Sequence, residues 1–415
     1  MGEILDIKIK TQKVIQYFLI YVLILLNGSV IYRNYQDFFL IGMLLISVFI
    51  ILKKITSFQK YCYYLIPIFI TLVFTVIYTK MQLSIGAVTN VMVRFLFIFA
   101  VYHYDKLNFK IRYIKMVVFL ATCSLVFFIL QLISPNIIMS LGFPQAYSTG
   151  TFYVNPLYCM SSWTSSIKRN VGLMTEPGLY QIILISALYL LMFHMDKMTA
   201  SKQIKYIIIL IIALLTTQST TGYIGLIILL LFYYFNKRNV GVKSSVKVKV
   251  TAFLIVGIAA FIIFALLNDD FKLFQDVLFS KVFGGSGGGF DFSEGSGNAR
   301  IVSMQTDLLV FQRYPLGCGY DTYYPLWQNL LVSPIGDKSS CAGITYTMAV
   351  FGILVWLAIM HFYIIGGFKN KRNMVSYLAL IFLFLNTAVS QPLLYYPSFL
   401  ILFVINYKDE EYAYE

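Results

Sequence analysis

Two long segments of this chain place arginine and a carboxylate beside glycine and proline, between strongly apolar stretches. The first, residues 134–176, leads into Arg169-Asn-Val-Gly-Leu-Met-Thr-Glu176-Pro177-Gly178. The second, residues 268–341, contains Ser296-Gly-Asn-Ala-Arg300 and Arg313-Tyr-Pro315-Leu-Gly317-Cys-Gly319-Tyr320-Asp321. Arginine binds anions through paired N–H donors, and glycine lets the backbone approach a ligand closely. Loops this long between apolar helices need a functional reason, and they predict a site for an anionic, lipid-linked substrate.

Arg169 and Glu176 also have a structural interpretation. Proline fits the first position of a helix and a carboxylate favours its positive end, so Glu176-Pro177-Gly178 is typical of a helix start. Glu176 would then be only a cap, and Arg169 a solvated or ion-paired loop residue. In the functional interpretation, Arg169 holds an anionic leaving group while Glu176 orients a base or an acceptor hydroxyl.

Three further features are open to two interpretations. Arg300 is either an exposed first-turn arginine or part of a phosphate cradle formed with helix N–H groups. The run from Pro315 to Gly319 is either a turn or backbone set against a ligand. Arg94 lies within a predicted span, where a charge must face protein or a cavity. It either ties buried carbonyl groups together or contacts the polar head of a lipid-linked substrate.

Composition predicts an all-α, polytopic membrane protein. The 415 residues are 59% hydrophobic and 12% charged, with a mean hydropathy of +0.77, which excludes a soluble domain of this size. Apolar runs of bilayer-spanning length predict about twelve helices, at residues 14–31, 38–52, 61–78, 84–102, 113–133, 177–195, 204–215, 222–235, 250–267, 342–365, 374–391 and 392–407.

The distribution of Lys and Arg predicts the topology. One side of the predicted spans carries 22 of these residues and the other carries 9, and Arg94 completes the total of 32. By the positive-inside rule both termini are cytoplasmic and both long segments are extracytoplasmic. The net charge of +14 therefore concerns topology and gives no reason to expect a nucleic-acid partner.

The predicted organisation has five parts: transmembrane helices 1–5 in residues 1–133, a first extracytoplasmic loop in 134–176, helices 6–9 in 177–267, a second extracytoplasmic loop in 268–341, and helices 10–12 with a cytoplasmic tail in 342–415. Within the second loop, an apolar repeat predicts a short amphipathic surface helix that Pro315 ends. The repeat comprises Ile301, Met304, Leu308 and Phe311.

Other polar residues are less informative. The run 216–221 predicts a polar hairpin that can also form a cavity wall. Asp37 and the Asp269-Asp270 pair lie at predicted membrane edges and are either weak metal-ligand candidates or helix ends. All three histidines fall at predicted cytoplasmic ends of spans, so no metal site is predicted. One disulfide among Cys159, Cys318 and Cys341 is compatible with the topology.

Three of these motifs, in this order, resemble bacterial O-antigen and capsular polysaccharide polymerases of the Wzy type, within the O-antigen polymerase and ligase superfamily. The run from Arg169 to Gly178 is similar to their Arg-x-x-Gly-Leu-x-x-Glu-Pro stretch. Thr221-Gly222-Tyr223 resembles the start of a following span. Arg300 with the run 315–319 resembles their later Arg…Pro-Leu-x-Gly-x-Gly loop, and residues 346–356 resemble the span after it.

The resemblance implies a GT-C-like, inverting, metal-independent glycosyltransferase without a cofactor, in the bacterial cytoplasmic membrane. It would transfer a growing glycan from undecaprenyl diphosphate onto the next lipid-linked repeat unit at the extracytoplasmic face. A chain-length regulator and a flippase of the same pathway are expected partners. Arg169, Arg300 and Arg94 would hold the diphosphate, and Glu176 and Asp321 are the candidate bases. The expected cavity-lining residues are Thr221, Tyr223, Gly317, Gly319 and Tyr320.

Two alternatives stay open. The related ligases usually carry a histidine after the Gly-x-Gly region, whereas residues 337–341 here read Asp-Lys-Ser-Ser-Cys, which favours a polymerase. Twelve spans with both ends inside also fit a lipid-oligosaccharide flippase or a transporter. The large one-sided loops and the lack of detectable halves argue against transport.

Overall fold

The computed structural model describes residues 2–80, 82–147, 150–161, 169–195, 198–236, 296–332, 340, 342–365 and 374–407. Its α-helices are α1 (Gly2–Leu25), α2 (Val30–Asn34), α3 (Gln36–Lys53), α4 (Ile55–Tyr78), α5 (Ile85–Tyr104), α6 (Lys106–Ile133), α7 (Pro135–Leu141), α8 (Pro177–Phe193), α9 (Ala200–Thr216), α10 (Thr220–Phe235), α11 (Ser296–Arg313), α12 (Gly319–Asn329), α13 (Gly343–Met360), α14 (Met374–Ala388) and α15 (Pro397–Tyr407). A π-helical turn, His361–Ile365, continues α13, and a 3-10 turn, Leu393–Tyr395, precedes α15.

The prediction of an all-α, polytopic membrane protein is confirmed. Within the described residues, five helical segments are long and apolar enough to cross a membrane: Gln36–Lys53, Tyr61–Tyr78, Ile85–Tyr104, Lys106–Ile133 and Gly343–Ile364. Shorter apolar helical runs are Thr11–Leu25, Pro177–Phe193, Thr220–Phe235 and Met374–Ala388. Helices lie over eleven of the twelve predicted spans, and the remaining one, residues 250–267, lies outside the described residues.

The chain folds into two compact units, of which the first comprises residues 1–61, 90–222 and 394–415. In this unit α6 packs against α1, α8 and α9, and α15 packs against α1 and α8. α8 is apolar around its whole circumference and almost completely buried, as expected for a helix surrounded by others. Asn27, just after α1, donates to Ser398 Oγ at 2.8 Å and accepts from the Ser398 N–H at 3.1 Å, which ties α1 to α15.

A small antiparallel sheet, which the sequence analysis did not predict, lies in the first predicted loop. Its strands are β1 (Phe143–Tyr147), β2 (Gly150–Val154) and β3 (Cys159–Ser161), in that order across the sheet. Alternate residues of β2 face opposite sides. Phe152 and Val154 pack with Val30 and Val171, whereas Tyr153 packs against a cluster that contains Tyr158. The sheet therefore joins α2 to the segment that follows Arg169.

The second unit comprises residues 62–89 and 223–393. In this unit α11 packs against α13, and α12 packs against both. α4 and α13 run antiparallel, because the Thr75 hydroxyl donates to the Phe351 carbonyl at 3.0 Å while the Tyr64 ring lies 6.5 Å from the His361 ring.

The predicted tenth span is interrupted. α13 breaks at Gly352, whose backbone is non-helical at φ 83° and ψ 173°. Phe351, next to Gly352, accepts a hydrogen bond from Thr75, which lies three residues before α4 ends at Tyr78. The break therefore lies within about one helical turn of that end of α4.

Candidate active site

The predicted site residues divide between the two units. The first unit contains Arg94, Arg169, Glu176 and Thr221, and the second contains Tyr223, Arg300, Gly317, Gly319, Tyr320 and Asp321.

The loop from Arg169 to Glu176 is held by the turn between α1 and α2. The N–H and the hydroxyl of Thr175 both donate to the Gly28 carbonyl, at 3.2 and 3.1 Å, and Met174 forms a β-bridge with Ser29. Gly172 adopts φ +55°, and a Cβ there would lie 2.6 Å from the Tyr180 ring. This loop consequently has a fixed backbone path against α2 and α8.

Arg169 joins this loop to the polar hairpin after α9. Its Nε donates to the Thr217 carbonyl at 3.1 Å, and its Nη2 donates to the Gln218 carbonyl at 2.7 Å. The next residue, Asn170, donates its backbone N–H to the Thr216 carbonyl at 3.0 Å. A cation at the carbonyl end of a helix is favourable, so Arg169 acts as a C-terminal cap of α9. Two predicted motifs thus meet here, while the predicted role of Arg169 in diphosphate binding stays a prediction.

Glu176 lies at the start of α8, as predicted, but its backbone rather than its side chain forms the cap. It occupies the N-cap position with Pro177 at the first helical position, and its carbonyl accepts from the Leu179 and Tyr180 N–H groups. The carboxylate makes no capping hydrogen bond and is exposed. The Glu176 side chain therefore does not cap this helix.

Glu176 belongs to a charged group that the sequence analysis missed in part. The Tyr396 hydroxyl, next to the start of α15, interacts electrostatically with Glu176, Arg33 and Arg94. Arg33 ends the short helix α2 and is exposed. Neither Arg33 nor Tyr396 lies in a recognisable motif, and only the folding of α2 and α15 around the 169–176 loop brings them near Glu176.

Arg94 is buried, with 5% of its surface exposed, and the protein itself satisfies much of its guanidinium. Its Nε donates to Asn90 Oδ1 at 2.7 Å, and its Nη2 donates to the Tyr32 hydroxyl at 2.8 Å. Its Nη1 donates to the carbonyls of Leu26 and Tyr395. A buried charge requires such partners. These contacts fit the structural interpretation, and the diphosphate contact of Arg94 stays a prediction.

Thr221 and Tyr223 lie in the first turn of α10, with Thr221 buried and Tyr223 half-buried. The glycine between them permits close packing, because a Cβ at Gly222 would lie 3.0 Å from Leu214 and 3.1 Å from Gln181. This explains the glycine through helix packing. A cavity-lining role for Thr221 and Tyr223 stays a prediction.

In the second unit, the run 315–319 fits into the break in α13. The Ile353 N–H donates to the Pro315 carbonyl at 2.9 Å, and the Cys318 N–H donates to the Ala349 carbonyl at 3.2 Å. These bonds satisfy backbone groups that the break frees from the helix. A Cβ at Gly317, which has φ +96°, would lie 2.7 Å from the Phe351 carbonyl carbon. The glycine is therefore required by backbone-to-backbone contact, and the motif is more than an isolated turn.

Gly319, Tyr320 and Asp321 form the start of α12. Gly319 has φ +74°, and a Cβ there would lie 2.4 Å from the carbonyl carbon of Gln82. The Asp321 N–H donates to the Gln82 carbonyl at 3.4 Å, and its side chain is exposed. The Tyr320 ring packs 5.7 Å from the Phe351 ring. Gly319 and Tyr320 thus have packing roles, and the predicted role of Asp321 as a base stays a prediction.

The predicted amphipathic helix exists as α11, but its apolar repeat does not form the buried face. Ile301 and Leu308 are 47% and 41% exposed. The buried residues of α11 are instead Val302, Ser303, Thr306, Asp307 and Val310. Arg300 is half-buried and lies seven residues before Asp307, which places the two on the same helical face. The face was missed because its centre is a polar group rather than an apolar one.

Asp307, which the sequence analysis did not single out, is fully buried and accepts three hydrogen bonds. The donors are the hydroxyls of Tyr323 at 2.6 Å, Thr345 at 2.7 Å and Ser340 at 2.8 Å. Burial raises the pKa of Asp307 to about 6, and the donors around it oppose that rise. Asp307 is the only acidic residue in the sequence of α11, and this feature could have identified it from the sequence.

Within the described ranges, no group of three or more His, Cys, Asp or Glu side chains is arranged to hold a metal ion. Asp37 lies in the first turn of α3, and Asp269 and Asp270 lie outside the described residues. Cys159 and Cys318 are buried free thiols, and Cys341 lies outside the described residues.

Residues 206–337 match the protein family described as O-antigen ligase. The match covers about a third of the chain and includes the Thr221 motif, Arg300 and the run 315–319. It confirms, over these residues, the resemblance to the O-antigen polymerase and ligase superfamily. That superfamily is a class of glycosyltransferase-like membrane enzymes. No curated protein matches the chain.

Proposed function

We propose that the protein is a membrane glycosyltransferase that polymerises lipid-linked oligosaccharide repeat units for capsule, O-antigen or exopolysaccharide synthesis. It transfers the growing glycan from undecaprenyl diphosphate onto the next lipid-linked unit. The family match at residues 206–337 carries this proposal. That segment contains both Arg300 and the glycine-rich run that fits into the break in α13.

The chemistry needs few groups. An acceptor hydroxyl attacks the anomeric carbon of the donor sugar, its proton passes to a base, and the bond to the diphosphate oxygen breaks. A diphosphate leaves with its negative charge stabilised by cations, and arginine combines charge with paired donors. Arg169 and Arg300 take this role, and Glu176 or Asp321 accepts the proton. The exposed carboxylates of Glu176 and Asp321 support that last assignment.

The polymerase reaction is favoured over ligation by the run 337–341, which contains no histidine. Ligation remains the second candidate because the matched family is itself described as O-antigen ligase. In both reactions the donor is a glycan on a diphosphate lipid and the site faces the extracytoplasmic side. The 22-to-9 distribution of Lys and Arg supports this orientation, with both termini in the cytoplasm. A chain-length regulator and a flippase would act before or beside the enzyme.

The lipid-linked intermediates of a deletion strain test this function. Single repeat units on the carrier lipid at the extracytoplasmic face are the expected result for a polymerase. Finished polymer on the carrier lipid would instead indicate a ligase, and units retained on the cytoplasmic face would indicate a flippase. Complementation with Arg300→Ala should leave the single units in place, whereas the matched control Arg313→Ala, exposed at the end of the same helix, should clear them.

A further inference from the structure

A buried carboxylate, that of Asp307, lies on the face of α11 that meets α13. The apolar repeat of α11 includes Ile301 and Leu308, both substantially exposed, while the carboxylate of Asp307 is fully buried. The apolar repeat and the buried residues of α11 are centred about 150° apart around the helix axis.

The contacts of Asp307 account for the observed face. Its Oδ1 accepts from Tyr323 of α12, and its Oδ2 accepts from Thr345 in the first turn of α13 and from Ser340, which precedes that helix. The Ser340 oxygen also accepts the Ala342 N–H at 3.1 Å. One carboxylate therefore joins α11, α12 and the start of α13. Hydrogen bonds to an ionised acceptor are stronger than neutral ones, so they can resist rotation of α11.

The axial position of α11 is fixed as well. Asp307 meets Thr345, and eight residues later Pro315 meets Ile353, so α11 and the run that follows it travel in the same direction as the N-terminal half of α13. Arg300 lies two helical turns before Asp307, about 10 Å back along this direction and on the same face. Its placement beside the start of α13 therefore depends on how Asp307 is held.

We propose that Asp307 is a positioning residue for anion binding: its three hydroxyl contacts hold α11 in the rotation that directs Arg300 towards the start of α13. This inference rests on the proposed role of Arg300 in binding the carrier diphosphate. Asp307 itself is buried and does not touch the substrate. Burying a carboxylate costs desolvation free energy, but its hydrogen bonds specify one packing arrangement of the helix among several.

The test measures binding of undecaprenyl diphosphate to the full-length protein in nanodiscs. We expect Asp307→Asn to raise Kd about tenfold, as the loss of one charge-assisted interaction would. The double variant with Arg300→Ala should bind no more weakly than Arg300→Ala alone, because Asp307 acts through that arginine. Gln305→Ala, an exposed position on the same helix, is the matched control and should bind like the wild type.

Thermal unfolding of the same samples separates positioning from loss of the fold. If Asp307→Asn does not fold, Tyr323→Phe removes one donor and keeps the ring, and it should raise Kd severalfold with little change in the unfolding midpoint. Additive effects of Asp307→Asn and Arg300→Ala would overturn the inference, as would wild-type binding by Asp307→Asn while Arg300→Ala binds weakly. Wild-type binding by Arg300→Ala would refute the underlying role of Arg300, whatever the Asp307 variants do.

Discussion

The contact between the run 315–319 and the broken helix α13 makes Gly317 unusually sensitive to a single methyl group. Gly317→Ala would place a Cβ 2.7 Å from the Phe351 carbonyl carbon, 2.8 Å from the Val350 oxygen and 2.9 Å from the Gly352 nitrogen. All three are backbone atoms, which cannot move away as a flexible side chain can. The residue also has φ +96°, a conformation that a side chain disfavours.

The expected loss of stability follows from these two effects. A non-glycine residue in a left-handed conformation costs about 1–2 kcal/mol, and overpacking of a tight contact costs about 1–3 kcal/mol. The sum, about 2–5 kcal/mol, is a large part of the roughly 5–15 kcal/mol that stabilises a typical folded protein. At about 2–4 °C per kcal/mol for a unit of this size, the unfolding midpoint should fall by roughly 4–20 °C.

The assay is thermal unfolding of the purified protein in detergent, with membrane abundance measured in parallel. Gly42→Ala is the matched control, because Gly42 lies in α3 and a Cβ there would have no neighbour within 4 Å. That change should be neutral or raise stability by up to about 1 kcal/mol. Equal midpoints for Gly317→Ala and Gly42→Ala would refute the account of the motif as backbone inserted into a broken span.

Three further predictions concern charge. Arg169→Ala and Arg300→Ala should each slow glycan transfer about a hundredfold, which corresponds to about 3 kcal/mol, and the lysine variants should slow transfer less. The control Arg313→Ala should have only a mild effect on transfer. Normal polymer from both Arg169→Ala and Arg300→Ala at normal abundance would make the site assignment wrong. Transfer by the purified protein should survive EDTA, whereas a loss that magnesium or manganese restores would revive Asp37 or Asp269 as ligands. The pKa of Asp307 is raised from 3.8 to about 6, so its protonated form stabilises the fold at low pH. That contribution, about 3 kcal/mol at most, is lost as the pH rises through about 6. The wild type should therefore lose more stability than Asp307→Asn in unfolding scans from pH 4.5 to 7.5, and parallel curves for the two proteins would contradict this.

Hydropathy predicted helices at eleven of the twelve apolar runs, because most backbone hydrogen bonds of a helix are local. The break in α13 could not be predicted, since it depends on Pro315 and Gly317 meeting residues more than thirty positions away. The sheet was missed because its strands are only three to five residues long and lie in a segment without a long periodic pattern.

The arginines show the limit of motif reasoning more clearly. Their types and spacing drew attention to Arg94 and Arg169, but did not predict the groups that these two side chains contact. Arg169 contacts the Thr217 and Gln218 carbonyls, which are main-chain groups that no residue pattern reveals. The face of α11 was assigned from hydrophobicity, whereas the observed interface contains Asp307 and its hydrogen bonds to Tyr323 and Thr345.

The most direct test of the proposed function is transfer by the purified protein in liposomes. The substrate is the undecaprenyl-diphosphate-linked repeat unit extracted from the deletion strain, and the products are separated by length. The account predicts a ladder of lengthened lipid-linked glycans, with one undecaprenyl diphosphate released for each unit added, and little of either with Arg300→Ala. Unchanged substrate with the wild-type protein, under conditions where it is folded, would contradict the account.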